Sequence, residues 1–202
     1  MVLVHTITNS IFKSQTYIIY RENCKQAWIV DIGDIEPVLL FLNEHQLLIS
    51  GVILTHAHFD HIYGLKSLLF HYPQINIYVS DYSKRALASD KLNMSRYHGT
   101  PLSIESDRIV VVHDSDSLCL FADEPLMFFY ETPGHNPGCL TMVIGNVIFT
   151  GDAYMPGIET NVRMPHSDKE AANKSLERII KLADGKTVFP GHTINHKFNS
   201  VL

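Results

Sequence analysis

Apolar residues along this chain collect into short runs broken by polar or turn-forming positions, and the runs predict strands. Residues 2–7, 16–20 and 27–30 are β-rich and bounded by polar clusters, as neighbouring strands are. Asp34 then stands at an N-cap position ahead of Val38, Leu39, Phe41 and Leu42, with Pro37 tolerated in the first helical turn. Residues 51–55 read as a buried strand. Asp60 is placed to cap a helix carrying Ile62, Leu65, Leu68 and Leu69, which should end near Pro73. A strand at 75–79 completes a β-α-β unit.

Residues 81–107 are more polar and irregular, with a helix expected around 83–87, and form a candidate site-covering segment. Strand rhythm returns at 108–112, 117–121, 126–130, 139–144 and 147–150, with Gly145-Asn146 as a tight turn between the last two. Ser167 to Glu170 has capping-box spacing, and Ala172, Leu176, Ile179, Ile180 and Ala183 trace the apolar face of the helix it opens. Gly185 stops that helix, and a final strand at 187–189 runs into Pro190-Gly191-His192. Strands in both halves with interspersed amphipathic helices point to two facing sheets with helices outside, although periodicity alone also fits a three-layer α/β fold.

Composition narrows the functional classes. A chain of 202 residues with 46% hydrophobic content suits one domain with a sizeable core, residues 1–202. The net charge of -5 and the lack of a Lys/Arg stripe argue against nucleic acid as a partner. No secretory leader is readable and no eighteen apolar residues run together, so a soluble cytoplasmic protein without a membrane partner is expected. Cys24, Cys119 and Cys139, an odd number at wide spacing, read as reduced and buried thiols.

The chemistry is concentrated at Thr55-His56-Ala57-His58-Phe59-Asp60-His61, where three imidazoles and a carboxylate follow an apolar strand. Such donors suit zinc, iron or manganese, and four so close in sequence can serve two neighbouring ions. His135, Asp152 and His192 each follow a predicted strand directly. Strand termini are where ligand groups converge in open sheets.

With these residues in place, the chain resembles the metallo-β-lactamase-fold hydrolases, whose pattern is HxHxDH followed by a lone His, an Asp and a last His. The resemblance implies an α/β four-layer αββα sandwich with a dinuclear site at one edge. It implies that His56, His58 and His135 hold one divalent ion, that Asp60, His61 and His192 hold the other, and that Asp152 bridges them. Zinc is the expected metal, with iron or manganese as alternatives. Asp31 resembles the family's aspartate that orients a ligand from behind. A metal-bridging hydroxide would attack a substrate carbonyl, with Asp60 orienting it or accepting its proton.

Within the family, Thr132-Pro133-Gly134-His135-Asn136-Pro137-Gly138-Cys139 looks most like the glyoxalase II branch, which hydrolyses S-acylglutathione thioesters. Full-length members carry a helical C-terminal domain, whereas this chain stops ten residues after His192. A persulfide dioxygenase with one iron at positions matching His56, His135 and Asp152, a lactonase, and a metal-bound protein without catalysis are the alternatives. The substrate is expected to be a small molecule. Tyr97, His98, Tyr154 and Arg163 are the candidate substrate contacts, Arg163 as an anion contact; oligomeric state is not readable.

Overall fold

The computed structural model describes residues 1–122 and 125–193. The chain opens with β1 (Val2–Thr8), β2 (Gln15–Arg21), β3 (Gln26–Val30), α1 (Ile35–Glu44) and β4 (Leu48–Ile53). Two short helices, α2 (Phe59–Ile62) and α3 (Leu65–His71), lead to β5 (Asn76–Val79), α4 (Asp81–Leu87) and a 3-10 turn at Ser95–His98. The second half contains β6 (Ile109–Val111), β7 (Ser117–Cys119), β8 (Leu126–Glu131), β9 (Leu140–Ile144), β10 (Val147–Gly151), α5 (Lys169–Ala183) and β11 (Thr187–Pro190).

These strands form a six-stranded sheet in the order β1-β2-β3-β4-β5-β6 and a five-stranded sheet in the order β11-β10-β9-β8-β7. Strand alternation assigns their side chains to different layers. In β2, Ile18 enters a core under α1, α3 and α4, while Tyr17 and Ile19 face the second sheet. In β10, Ile148 packs toward α5, while Val147 and Phe149 return to the space between the sheets. The result is the expected αββα sandwich. Its central strands are apolar on both faces, so their sequences read as continuous hydrophobic runs rather than alternating ones.

Several local expectations shift. The helix anticipated from Asp60 is broken at Tyr63-Gly64 into α2 and α3, and Asp60 lies inside the first turn of α2 with His58 at the cap position. At the break Gly64 N donates to Ile32 O at 3.1 Å instead of within the helix, and only glycine fits there, because a Cβ would overlap the carbonyl oxygen of Gly33. Asp34 precedes α1 without capping it; its carboxylate accepts from Ser10 N at 2.7 Å, Ser10 Oγ at 2.8 Å and Tyr63 Oη at 2.5 Å. That pins the β1–β2 loop beside α2. At α5 the cap is Asp168, accepting from Ala171 N at 3.0 Å, while Ser167 Oγ donates to the carbonyl of His135 at 2.7 Å. Ile180 is 53% exposed, so the buried stripe of α5 is Ala172, Ser175 and Ile179.

The strand expected over 117–121 ends at Cys119, and Leu120 and Phe121 leave the ladder to enter the inter-sheet core. Trp28 Nε1 donates to Leu120 O at 2.7 Å, satisfying a carbonyl that the shortened strand releases. Cys139 and Cys24 are buried and partly buried, but Cys119 is exposed.

Candidate metal centre

Topology explains why distant donors meet. β8 and β10 are each antiparallel to β9, and β11 is parallel to β10, so β8, β10 and β11 run in one direction. Their C-terminal ends carry Thr132 to His135, Asp152 and His192 to one edge. From the other sheet, parallel strands β3 and β4 deliver Asp31 and the His56–His61 segment.

Among the described residues, three groups of side chains have ligand atoms within 4.8 Å of one another: His56, His58 and His135; His56, His61 and Asp152; and Asp60, His61 and His192. His135 Nε2 lies 3.0 Å from His58 Nδ1 and 3.4 Å from Asp152 Oδ2. On the other side, His192 Nε2 lies 3.2 Å from Asp60 Oδ2 and 3.3 Å from Asp152 Oδ2. His61 Nε2 is 3.5 Å from both Asp60 Oδ2 and Asp152 Oδ1. Asp152 therefore stands between the two outer groups.

The remaining ring nitrogens are held from behind. His61 Nδ1 meets Asp31 Oδ2 at 2.9 Å, and Asp31 also accepts from Thr55 N at 2.8 Å and Thr55 Oγ1 at 2.7 Å. His135 Nδ1 meets Asn161 O at 2.9 Å and His192 Nδ1 meets Phe12 O at 3.0 Å. His58 Nε2 faces the amide of Asn136 at 3.0 Å. Such outer partners fix ring orientation and leave the opposite nitrogen free to bind. Of them, only Asp31 was anticipated. Asn136 carried a signal, as the neighbour of His135 in a donor motif; Asn161 and Phe12 act through backbone carbonyls, which any residue could supply.

Electrostatics divides the cluster. Burial holds the His56 imidazole well below its ordinary pKa, helped by the His61 and His58 rings, and takes His58 down to about 3. Burial also opposes charge on His61, but the carboxylates of Asp60, Asp152 and Asp31 outweigh it and raise that pKa well above normal. His192 is pushed up to about 10: burial works against this, and hydrogen bonds to Asp152 and Asp60 prevail. Asp152 is held far below the usual carboxylate range, because His61 and His192 overcome the effect of burial. One corner thus offers neutral imidazole lone pairs and the other offers carboxylates.

The donor set fits divalent metal. His56 Nε2 and Asp152 Oδ1 are buried and have no hydrogen-bond partner, a costly state for polar atoms unless something else binds them. Both belong to the donor groups above. Gly191 makes the close approach possible, since a Cβ there would overlap Asp152 Oδ1.

The substrate candidates separate. His98 lines a cavity of about 260 Å³ over the donors, together with Phe12, Phe59, Met94, Asn161 and Met164. Tyr97 is 60% exposed and does not line it. Tyr154 packs against the core beneath α5 and borders a separate hollow with Ile158 and Leu176. Arg163 is exposed; its backbone N–H closes a turn onto Asn161 Oδ1 at 3.0 Å, and it is the flanking Asn161 and Met164 that reach the cavity.

This fold and donor arrangement are those of a family, and the chain belongs to it: residues 14–192 match the metallo-beta-lactamase superfamily. Its curated relatives include a hydroxyacylglutathione hydrolase of Shewanella oneidensis, 26% identical over 155 residues, covering 77% of this chain and 53% of that protein. Another, from Actinobacillus pleuropneumoniae serotype 5b, is 28% identical over 180 residues, covering 89% of this chain and 66% of that protein. The chain therefore spans roughly half to two thirds of such relatives. Among solved structures, the BLEG-1 B3 metallo-beta-lactamase superposes with a TM-score of 0.84 at 26% identity, covering 95% of this chain and 92% of that one.

Proposed function

We propose that the protein is a metal-dependent hydrolase of a small thioester or related ester, working with two divalent ions, zinc foremost. The observation that carries this reading is the position of Asp152, whose carboxylate lies within 3.5 Å of His61, His135 and His192 and keeps a buried, unpartnered Oδ1. His56, His58 and His135 would hold one ion, Asp60, His61 and His192 the other, with Asp152 shared. When bound, such ions would supply a water acidic enough to act as a nucleophile near neutral pH and a positive charge to polarise a carbonyl.

The chain's own groups do the rest. Asp60, whose Oδ2 lies 3.2 Å from His192 Nε2, would orient the attacking water or accept its proton. Asp31 holds His61 in one ring orientation. Phe12, Phe59, Met94 and Met164 line the same cavity as the donors, and their apolar side chains would limit competing water. In the overall reaction the water oxygen bonds to the acyl carbon, the C–S bond breaks, and one water proton goes to the departing thiolate. The hydroxyacylglutathione hydrolases among its curated relatives support an acyl thioester as substrate class, and the Thr132–Cys139 motif points the same way.

Metal analysis of the purified protein, joined to a hydrolysis screen of thioesters, lactones and β-lactams, tests this. Two zinc equivalents with thioester turnover, lost in Asp60→Ala while the circular dichroism spectrum is kept, is the expected result. One iron equivalent with oxygen consumption on a persulfide would overturn it.

A further inference from the structure

Beside the donors, the candidate cavity is lined by four apolar side chains, Phe12, Phe59, Met94 and Met164, with His98 and Asn161 among them. His98 lies flat on Phe59, with ring centroids 5.3 Å apart and planes 11° from parallel, and meets Phe12 edge-on at 5.1 Å. Met94 and Met164 extend the same lining. Among the described residues no Lys or Arg lines the cavity, although the chain has 16 of them. At about 260 Å³ the space lies below the roughly 300–1,000 Å³ of most small-molecule pockets.

Two of these wall residues sit in strained backbone. Phe12 has φ of 51° and Met94 of 68°, in the left-handed region that bulky residues enter rarely and at a cost of about 1–3 kcal/mol. The surroundings hold Phe12 there: Asn9 N donates to Ser14 O at 2.9 Å, Ser14 Oγ donates to Asp60 O at 2.7 Å, and Phe12 O meets His192 Nδ1. Phe12 stays 59% exposed, so the fixed turn presents its side chain toward solvent at the cavity. The 3-10 turn at Ser95–His98 brings His98 in from the 81–107 segment, whose covering role the sequence suggested.

We infer that Phe12, Phe59, Met94, His98 and Met164 form an acyl-recognition wall that selects an apolar, planar acyl group, of the arylacetyl class, over a small hydroxyacyl group. This rests on the hydrolase reading above for the bond that is cut. Flat rings stack on the His98 and Phe12 faces, and sulfur lies well against aromatic edges. A hydroxyl placed against Phe12, Phe59, Met94 or Met164 would lose water without gaining a partner.

The test uses the zinc-loaded protein and two readouts. The first is direct calorimetric binding of phenylacetate and lactate, which needs no turnover. The second is kcat/KM for N-acetylcysteamine thioesters of the same two acids. Phenylacetate is expected to bind about tenfold more tightly than lactate, with a similar ratio in kcat/KM. The ratio should fall toward one in His98→Ala and in Phe12→Asn. Asparagine tolerates the left-handed region, so Phe12→Asn is also expected to keep or raise the thermal midpoint, which loss of a merely structural ring would not do. Equal or reversed carboxylate binding, or a ratio unmoved in both variants, would overturn the inference. Phenylacetate preference without hydrolysis of either thioester would leave the wall supported and remove the thioesterase reading instead.

Discussion

The carboxylate of Asp31 and Nδ1 of His61 lie 2.9 Å apart, both sealed from solvent, and join the end of β3 to the donor cluster. Asp31 takes φ of 55° to do this, and its other contacts, Thr55 N and Oγ1, tie in the end of β4. One side chain thus sets the relative position of two strand ends and one ring. Asp31→Asn keeps the shape but puts an amide where only acceptors serve. Metal affinity is expected to fall about 10- to 100-fold, read by chelator competition. Affinity within twofold of the parent would show that Asp31 is only a turn residue.

Asn136 holds His58 from behind, its Oδ1 accepting from Gly138 N at 2.8 Å while the other end of the amide faces the ring. Asn136→Ala removes both supports at a site only 2% exposed. The expected result is weaker loading at the His56, His58 and His135 corner and a stability loss of about 1–3 kcal/mol. Metal titration followed by urea unfolding measures both; a fully loaded, equally stable variant would count against a positioning role.

Chelation tests the coupling between donors and fold. Neutral and charged donors packed this tightly should be stabilised by a divalent ion, by about 2.7 kcal/mol at a free metal concentration one hundred times Kd. Trp28 is 6% exposed in the inter-sheet core and provides the fluorescence signal for unfolding. EDTA is expected to lower the thermal midpoint, and zinc to restore it. Identical midpoints with and without metal would mean that the cluster is not a metal site.

Away from the centre, Arg178 on α5 makes a two-pronged contact with Asp114, at 2.6 Å and 3.0 Å. That hydrogen bond, assisted by Glu131 N, holds the Asp114 carboxyl below its usual pKa. A carboxyl whose folded pKa is depressed stabilises fully above its unfolded pKa of about 3.9, and loses that contribution as pH falls through the folded value. The pair is about 40% exposed, so solvent screening keeps the effect to roughly 1 kcal/mol or less. Asp114→Asn should therefore be less stable than the parent at pH 7 and converge with it in acid, as pH falls through the depressed folded pKa. A constant stability difference across that range would refute the assignment.

Gly64 offers a backbone test. A Cβ there would overlap the Gly33 carbonyl oxygen, a backbone atom rather than the end of a flexible side chain. Gly64→Ala is expected to cost more than about 2 kcal/mol in urea unfolding and to disturb α2, with its Asp60 and His61. A neutral substitution would mean that the chain crossing is looser than the structure describes.

By itself, the sequence determined the strand runs and the candidate donors, while the layering came from the family resemblance. Runs such as 52–54 and 140–144 are apolar because both faces of their strands are buried, and that pattern is written residue by residue. The seven candidate donors were readable because few other roles put imidazole and carboxylate directly after apolar strands. What the tertiary structure decided was convergence: β8, β10 and β11 run the same way, and only pairing through β9 sets that direction. It also decided the cap at Asp168, the break at Gly64, the carbonyls of Phe12 and Asn161 behind two histidines, and the wall formed by Phe12, Met94 and His98. Each depends on a contact between residues far apart in the chain, or on a backbone torsion forced by such a contact. Neither leaves a local signature in the order of amino acids.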